Sequence, residues 1–206
     1  MKKIFVAMLA LAAAAACSNE DIVSVNQEAI GFDNAFINNS VRSVNDPSIT
    51  NANLQDFAVY GFVEGATLFD GVQVARSITN DKLSSEWKYE KTQYWIAGAN
   101  YNFHAVAPMT DGDWTKTAAT KDGVTLSFTN DGITDLLYAL TAQQGKAEGN
   151  PKVAFDFRHI LSKVKFSFEN AYNATNATIK VKDIAITNAH ASGTVVLDAD
   201  TKWTGT

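Results

Sequence analysis

Cys17, His104, His159 and His190 are the one cysteine and three histidines of this 206-residue chain, the side chains that titrate nearest neutral pH and the first to weigh as nucleophile, general base or metal ligand. A lone cysteine excludes a disulfide framework and a thiolate-rich zinc site. The three histidines are scattered, and none has the close His, Cys or carboxylate spacing of a metal centre. Asp156 and His159 could in principle form a carboxylate–imidazole pair, but no serine or cysteine motif accompanies them, and no glycine-rich phosphate loop follows a strand. Histidines in such settings read as hydrogen-bonded strand residues. The expectation is no catalytic residue, no cofactor and no metal. Trp87, Tyr89, Tyr94, Trp95 and Tyr101 fall within fifteen residues and would suit stacking on a sugar. Aromatic residues also fill cores and pair across strands, and burial of Trp87, Trp95 and Tyr101 would decide for packing.

Cys17 is explained by its place. It ends a segment that opens with Lys2 and Lys3, runs through an apolar stretch from Ile4 to Ala16 and closes on alanines. That is the layout of a secretory signal, and thirteen apolar residues fall short of the roughly 20 that cross a bilayer. Ala14-Ala15-Ala16-Cys17 resembles a bacterial lipobox, in which the cysteine thiol is acylated and becomes the first residue after cleavage. Acyl chains contribute about 0.8 kcal/mol of membrane affinity per buried methylene, so several on Cys17 would hold the protein on a membrane. Ser18-Asn19-Glu20-Asp21 resembles the export signal that sends Bacteroidetes lipoproteins to the cell surface. The full chain carries 17 basic against 22 acidic residues, and removal of residues 1–16 deepens the net charge from -5 to -7. Such a chain has no footprint for a phosphate backbone, so no nucleic-acid partner is expected.

The rest must be a packed domain, since 46% of residues are hydrophobic and only 19% charged. From Glu28 onward, short apolar runs are punctuated by turn residues with no sustained helical period, which predicts an all-β fold. Asp-Gly pairs at 70–71, 111–112, 122–123 and 131–132 mark hairpins or loops. Val124, Leu126 and Phe128 alternate with polar residues, as do Val164, Phe166 and Phe168, predicting strands with one wet face. Gln55 to Val63 is apolar on both parities and reads as a central strand covered on both sides. The apolar phase shifts between Val181 and Ile184, predicting a bulge or bend near Asp183. Residues 135–142 fit a helical turn or a strand equally well. Asn34 to Asn53 is asparagine-rich, contains Pro47 and reads as an exposed linker behind a first strand near Ala29 to Asp33.

Several stretches together resemble the Bacteroidales fimbrillin family. They are Cys17, the strand around Ala29-Ile30-Gly31-Phe32, Val41-Arg42-Ser43, and Leu54-Gln55-Asp56-Phe57-Ala58-Val59-Tyr60-Gly61-Phe62. Trp87-Lys88-Tyr89, Tyr94-Trp95 and Asn102-Phe103-His104-Ala105-Val106-Ala107-Pro108 follow in order, then Asp156-Phe157-Arg158-His159-Ile160-Leu161-Ser162-Lys163-Val164-Lys165-Phe166 and Gly193-Thr194. The resemblance implies a transthyretin-like Greek-key β-sandwich preceded by a lipoprotein signal peptide. The implied organisation is a signal peptide over 1–16, a lipidated tether over 17–27, a first strand and exposed linker over 28–53, and an N-terminal fimbrillin sandwich over 54–206, completed by strand 28–33. The family usually carries a second sandwich after this one, and its absence from a chain that stops at Thr206 would fit a truncated reading frame, a fragment or a subunit that ends a polymer.

The resemblance further implies a structural or anchor subunit of a surface fimbria that supports adhesion, and not an enzyme. Its partners would be other fimbrial subunits joined by donor-strand exchange, the outer membrane through acylated Cys17, and a processing protease. Arg42 matches the arginine after which that protease cuts, leaving Ser43 as the new N-terminus, and it lies in a polar segment suited to proteolysis. The rival expectation from another class is a surface lipoprotein that binds glycans.

Overall fold

The computed structural model describes residues 27–37, 49–109, 114–162, 164–171 and 179–205. The described residues are all-β, with no helix among them. Eleven strands occur: β1 (Phe32–Ile37), β2 (Asp56–Val63), β3 (Ala66–Thr79), β4 (Lys82–Lys88), β5 (Asn100–Ala107), β6 (Trp114–Thr120), β7 (Gly123–Thr129), β8 (Leu137–Gln144), β9 (Val153–His159), β10 (Ser192–Leu197) and β11 (Lys202–Gly205). They form a seven-stranded sheet in the order β1-β9-β8-β5-β2-β3-β4 and a four-stranded sheet in the order β11-β10-β7-β6. The ladders are antiparallel except that of β1, which runs parallel to β9.

Alternation of side chains across each strand separates two cores. Phe57 and Val59 of β2, Phe103 of β5, and Phe155 and Phe157 of β9 enter the first. Ala58, Tyr60 and Phe62, on the opposite parity of β2, enter the second with Val106 and Tyr138. Val124, Leu126 and Phe128 of β7, and Val195 and Leu197 of β10, close this second core from the other sheet, making a β-sandwich. β2 is therefore covered on both faces, as its run of apolar residues on both parities predicts. The first core is enclosed differently. The seven-stranded sheet rolls until β1 and β4 touch, and the segments beside them are joined by an antiparallel bridge between Ala29 and Tyr94.

Polar side chains pin strands to one another. Asp56 is buried, accepting from the Met109 amide at 3.0 Å and from Gln73 Nε2 at 2.8 Å. Arg158 donates to the Asp198 carbonyl and to Thr201 Oγ1, each at 2.7 Å, tying β9 to the β10–β11 turn.

Several expectations meet corrections. Val164, Phe166, Phe168, Ile179, Val181, Ile184 and Ile186 lie in no ladder and are each about half exposed, so the strands predicted over 163–170 and 177–188 are not present among the described residues. Alternation marks a strand-competent segment but supplies no partner, and a strand needs one. At Asp183, where the bulge or bend is predicted, the backbone takes a left-handed φ of 56° but lies in no strand. Residues 135–142 resolve towards strand β8. The first strand starts later than expected and continues to Ile37, into the stretch read as linker. Asp122-Gly123 does join the β6–β7 hairpin, whereas Asp70-Gly71 lies inside β3.

β3 is interrupted twice. Register against β2 skips Gly71, between the Val59–Val72 and Tyr60–Asp70 pairs, and Leu68, between the Gly61–Phe69 and Phe62–Thr67 pairs. Gly71 takes φ 70°, open to a residue without a Cβ, which suits it to the bulge. β4 pairs only with residues 75–79 of β3, so 66–74 has no ladder on that side among the described residues. The chain after Lys88 turns away from β3, leaving a groove of about 660 Å³ lined by Leu68, Val72, Gln73, Tyr89 and Lys91.

Candidate functional site

Cys17, Arg42 and Ser43 lie outside the described residues. Of the three histidines considered for chemistry, His190 is exposed, and His104 and His159 stand in separate surroundings. His104 of β5 is 3% exposed. Its Nε2 lies 3.0 Å from the Lys121 carbonyl, which only accepts, so Nε2 carries the proton and Nδ1 accepts from the Tyr138 hydroxyl at 2.7 Å. Burial lowers its pKa from 6.5, against the opposing effects of the Lys121 carbonyl and Asp122. His159 pairs with Asp135, Nδ1 to Oδ2 at 2.7 Å, and not with Asp156, which is exposed on β9. Its Nε2 is buried without a hydrogen-bond partner among the described residues. His104 thus meets the Tyr138 phenol, and His159 the Asp135 carboxylate. No cluster of three or more His, Cys, Asp or Glu that could hold a metal occurs among the described residues.

The buried neutral His104 has a consequence for stability. In the unfolded chain it gains a proton below about 6.5, while the fold resists that proton until a lower pH. Its contribution is fully present above the unfolded value and is lost as pH falls from there through the lowered folded value. Urea unfolding at a series of pH values should therefore show a greater loss of stability on acidification for the wild type than for His104→Gln. Parallel pH dependences would contradict this account.

The aromatic cluster is a packing device. Trp95 is 5% and Tyr101 1% exposed, with ring centroids 4.7 Å apart in edge geometry. Trp87 lies 4.8 Å from Phe57, with the Arg76 guanidinium 4.7 Å over its ring. Tyr94 is exposed, yet its backbone carries the bridge to Ala29. No pair of flat exposed rings suited to a sugar is formed by these residues.

The feature that stands out is the seat of the N-terminal segment, Glu28 to Ile37. It supplies three side chains that are almost wholly buried: Ile30, Phe32 and Ile37. Phe32 is the hub, stacked on Phe155 at 6.0 Å and edge-on to Phe57, Phe69, Tyr89 and Phe103 at 5.4 to 6.4 Å. Yet β1 is an end strand whose ladder runs along β9 alone, with a break in register between Phe32 and Ala35. Other bonds hold its two ends. The Ile37 amide donates to Asn51 Oδ1 at 2.6 Å, and the Val153 amide to the Gly31 carbonyl at 2.8 Å. Glu28 Oε2 accepts from the Asn150 backbone amide and Nδ2 at 2.7 and 2.9 Å, and these bonds hold its carboxyl below the usual value. The Tyr89 hydroxyl donates to the Ile30 carbonyl at 2.6 Å, and burial raises its pKa.

The seat was only partly legible beforehand. Tyr89 is prominent as an aromatic residue, but its hydroxyl partner is 59 residues away, and nothing local singles out Glu28 or Asn150. A fimbrillin-like family model matches residues 42–206, beginning after β1. No curated protein matches the chain, and no solved structure matches it. The matched region takes in ten of the eleven strands and both sheets, and the chain accordingly belongs to the fimbrillin-like family, a family of structural subunits of fimbriae.

Proposed function

We propose that the protein is a surface-fimbria subunit that assembles by strand exchange and supports adhesion. In this reading residues 1–16 direct export, Cys17 is acylated, and residues 17–27 tether the domain to the outer membrane. A protease then hydrolyses the peptide bond between Arg42 and Ser43. β1 is thereby severed from the sandwich it completes and is held by non-covalent contacts alone. Its departure uncovers the rings around Phe32 and the backbone edge of β9, and an extended segment of a neighbouring subunit fills the place.

One observation carries the reading: an edge strand that precedes the family region supplies the hub of an aromatic core. Fold stability and strand occupancy are thus coupled, and a vacated seat demands a replacement. Arg42 falls in a sequence segment that is polar and asparagine-rich, a composition suited to proteolysis.

The test is to express the gene in its host and run unboiled surface extract on a denaturing gel. A ladder of multimers that collapses on boiling is expected, and Arg42→Ala should abolish the ladder and leave the mature N-terminus at Cys17. A single monomer band whatever the heating would end the polymer reading. Finding Ser43 at the N-terminus of the variant would remove Arg42 as the processing determinant.

A further inference from the structure

The upstream end of the N-terminal segment is joined to the chain after β4 by an unusual hydrogen-bonded ring. The Ile30 amide donates to the Gln93 carbonyl at 2.8 Å, as in an antiparallel pair. The reciprocal bond of such a pair would run from the Gln93 amide to the Ile30 carbonyl. Instead the Gln93 amide donates to the Tyr89 hydroxyl at 3.1 Å, and that hydroxyl donates to the Ile30 carbonyl at 2.6 Å. A side-chain oxygen is inserted where two backbones would meet. The same tyrosine ring packs on Phe32 at 5.4 Å and on Phe69 at 5.5 Å, so one side chain grips both the backbone and the hub of the segment.

The surroundings of Tyr89 are those of a part that can move. Residues 89–93 turn away from β3 after Lys88, and Tyr89, Lys91 and Gln93 line the open groove of about 660 Å³. Lys91 turns this stretch through a left-handed φ of 55°. Two residue pairs further along, beyond Ala29 and Tyr94, the Trp95 amide donates to the Glu28 carbonyl at 2.9 Å, while the Glu28 carboxylate reaches across to Asn150. The upstream end is therefore held by Tyr89 and Glu28 acting from two sides. The downstream end, nearer Arg42, is held by the β1–β9 pairs of Ala35, Phe36 and Ile37 and by the Asn51 bond, and it is separated from the upstream end by the register break after Phe32.

We propose that Tyr89 is a latch on the N-terminal strand: its hydroxyl, with Glu28 as the second hold, retains Glu28 to Ile30 after the downstream end has come free. Tyr89 and Glu28 are positioning residues for strand exchange, and this role rests on the strand-exchange reading above. A cut behind β1 would then leave a subunit that stays closed until the latch opens, because the end released by the cut is not the end that Tyr89 holds. A severed but occupied seat keeps the aromatic core covered until a neighbour arrives.

Two measurements test this on the chain from Cys17 onward. The first is amide hydrogen exchange on the uncut protein. Tyr89→Phe keeps the ring and loses one hydroxyl, and the Ile30 amide should exchange about five- to tenfold faster, in line with the loss of a part-buried hydrogen bond, while the Leu126 amide in the other sheet stays unchanged. The second places a site-specific protease sequence between Ser43 and Val44, so that cutting does not depend on Arg42, and follows the Cys17-labelled segment by fluorescence anisotropy with excess unlabelled peptide spanning residues 28–37. Tyr89→Phe and Glu28→Gln should each speed release about five- to tenfold. Unchanged Ile30 exchange in Tyr89→Phe, as when the two backbones close into a direct pair, would overturn the latch, as would Ile30 losing protection before Ile37 once the chain is cut. If the segment never leaves in any variant while Ile30 protection still depends on Tyr89, the latch stands and the strand-exchange reading falls.

Discussion

Phe32→Ala should lower the unfolding free energy by about 3–5 kcal/mol, a large part of the 5–15 kcal/mol typical of a folded domain. Phe32 is 2% exposed and meets five other rings, so truncation removes a buried side chain and leaves a cavity walled by rigid aromatic residues that cannot easily collapse into it. The damage should be confined to the first core, because the second is separated from it by the seven-stranded sheet. Urea denaturation should show a lower midpoint with an unchanged slope, and Phe32→Leu, which retains most of the volume, should recover much of the loss. A midpoint shift of a few tenths of a molar for Phe32→Ala would mean that the N-terminal strand is dispensable to the fold. Strand occupancy and stability would then be uncoupled, and the reason for a neighbour to refill the seat would disappear.

The second large effect is expected at Gly145→Ala. Gly145 follows β8 and is clamped by backbone on two sides, donating to the Ala99 carbonyl at 2.9 Å and accepting from the Gly98 amide at 2.8 Å. A Cβ there would be driven into the Ile96 carbonyl oxygen and would lie 3.2 Å from the Tyr101 ring. Backbone cannot swing aside as a side-chain terminus can, so relief requires separating the two loops and losing their hydrogen bonds. The expected cost is about 3 kcal/mol, the upper part of the range for overpacking. Gly132→Ala is the control, since φ is 81° there but nothing lies within 4 Å of the added methyl. It should cost about 1 kcal/mol through backbone conformation alone. Thermal melts of the two variants should therefore differ clearly. Equal melting temperatures would show that the loops at 96–99 and 145 slip apart without penalty.

How much could be read in advance depended on whether the governing interaction was local. β2 was legible because apolar residues on both parities can only mean two buried faces, and Val124, Leu126 and Phe128 of β7 lie inward as their alternation requires. Val164, Phe166 and Phe168 show the same alternation as β7, yet they lie outside any ladder. The pattern reports which face a strand would bury and says nothing about whether another strand is within reach. Asp70-Gly71 illustrates a different limit, because a residue pair suited to positive φ serves a bulge as well as a turn. The seat depended on pairings across long separations, Tyr89 with Ile30 and Glu28 with Asn150, and no short motif encodes those. His159 was noticed beside Asp156, three residues away on the same strand, whereas its carboxylate partner Asp135 comes from the turn before β8.

The two interruptions in β3 bear on how many such proteins could lie beside one another. A sheet edge adheres to another edge through a regular row of amides and carbonyls, and residues 66–74 present an edge without a ladder on the β4 side. Leu68 and Gly71 break the regularity of that row twice within four residues and twist it away from a flat approach. A crowded cell surface, where copies are held side by side at high local density, is the setting in which such an edge would otherwise nucleate amorphous clumps. Kinks that look like defects in one strand thus disfavour edge-to-edge pairing between copies.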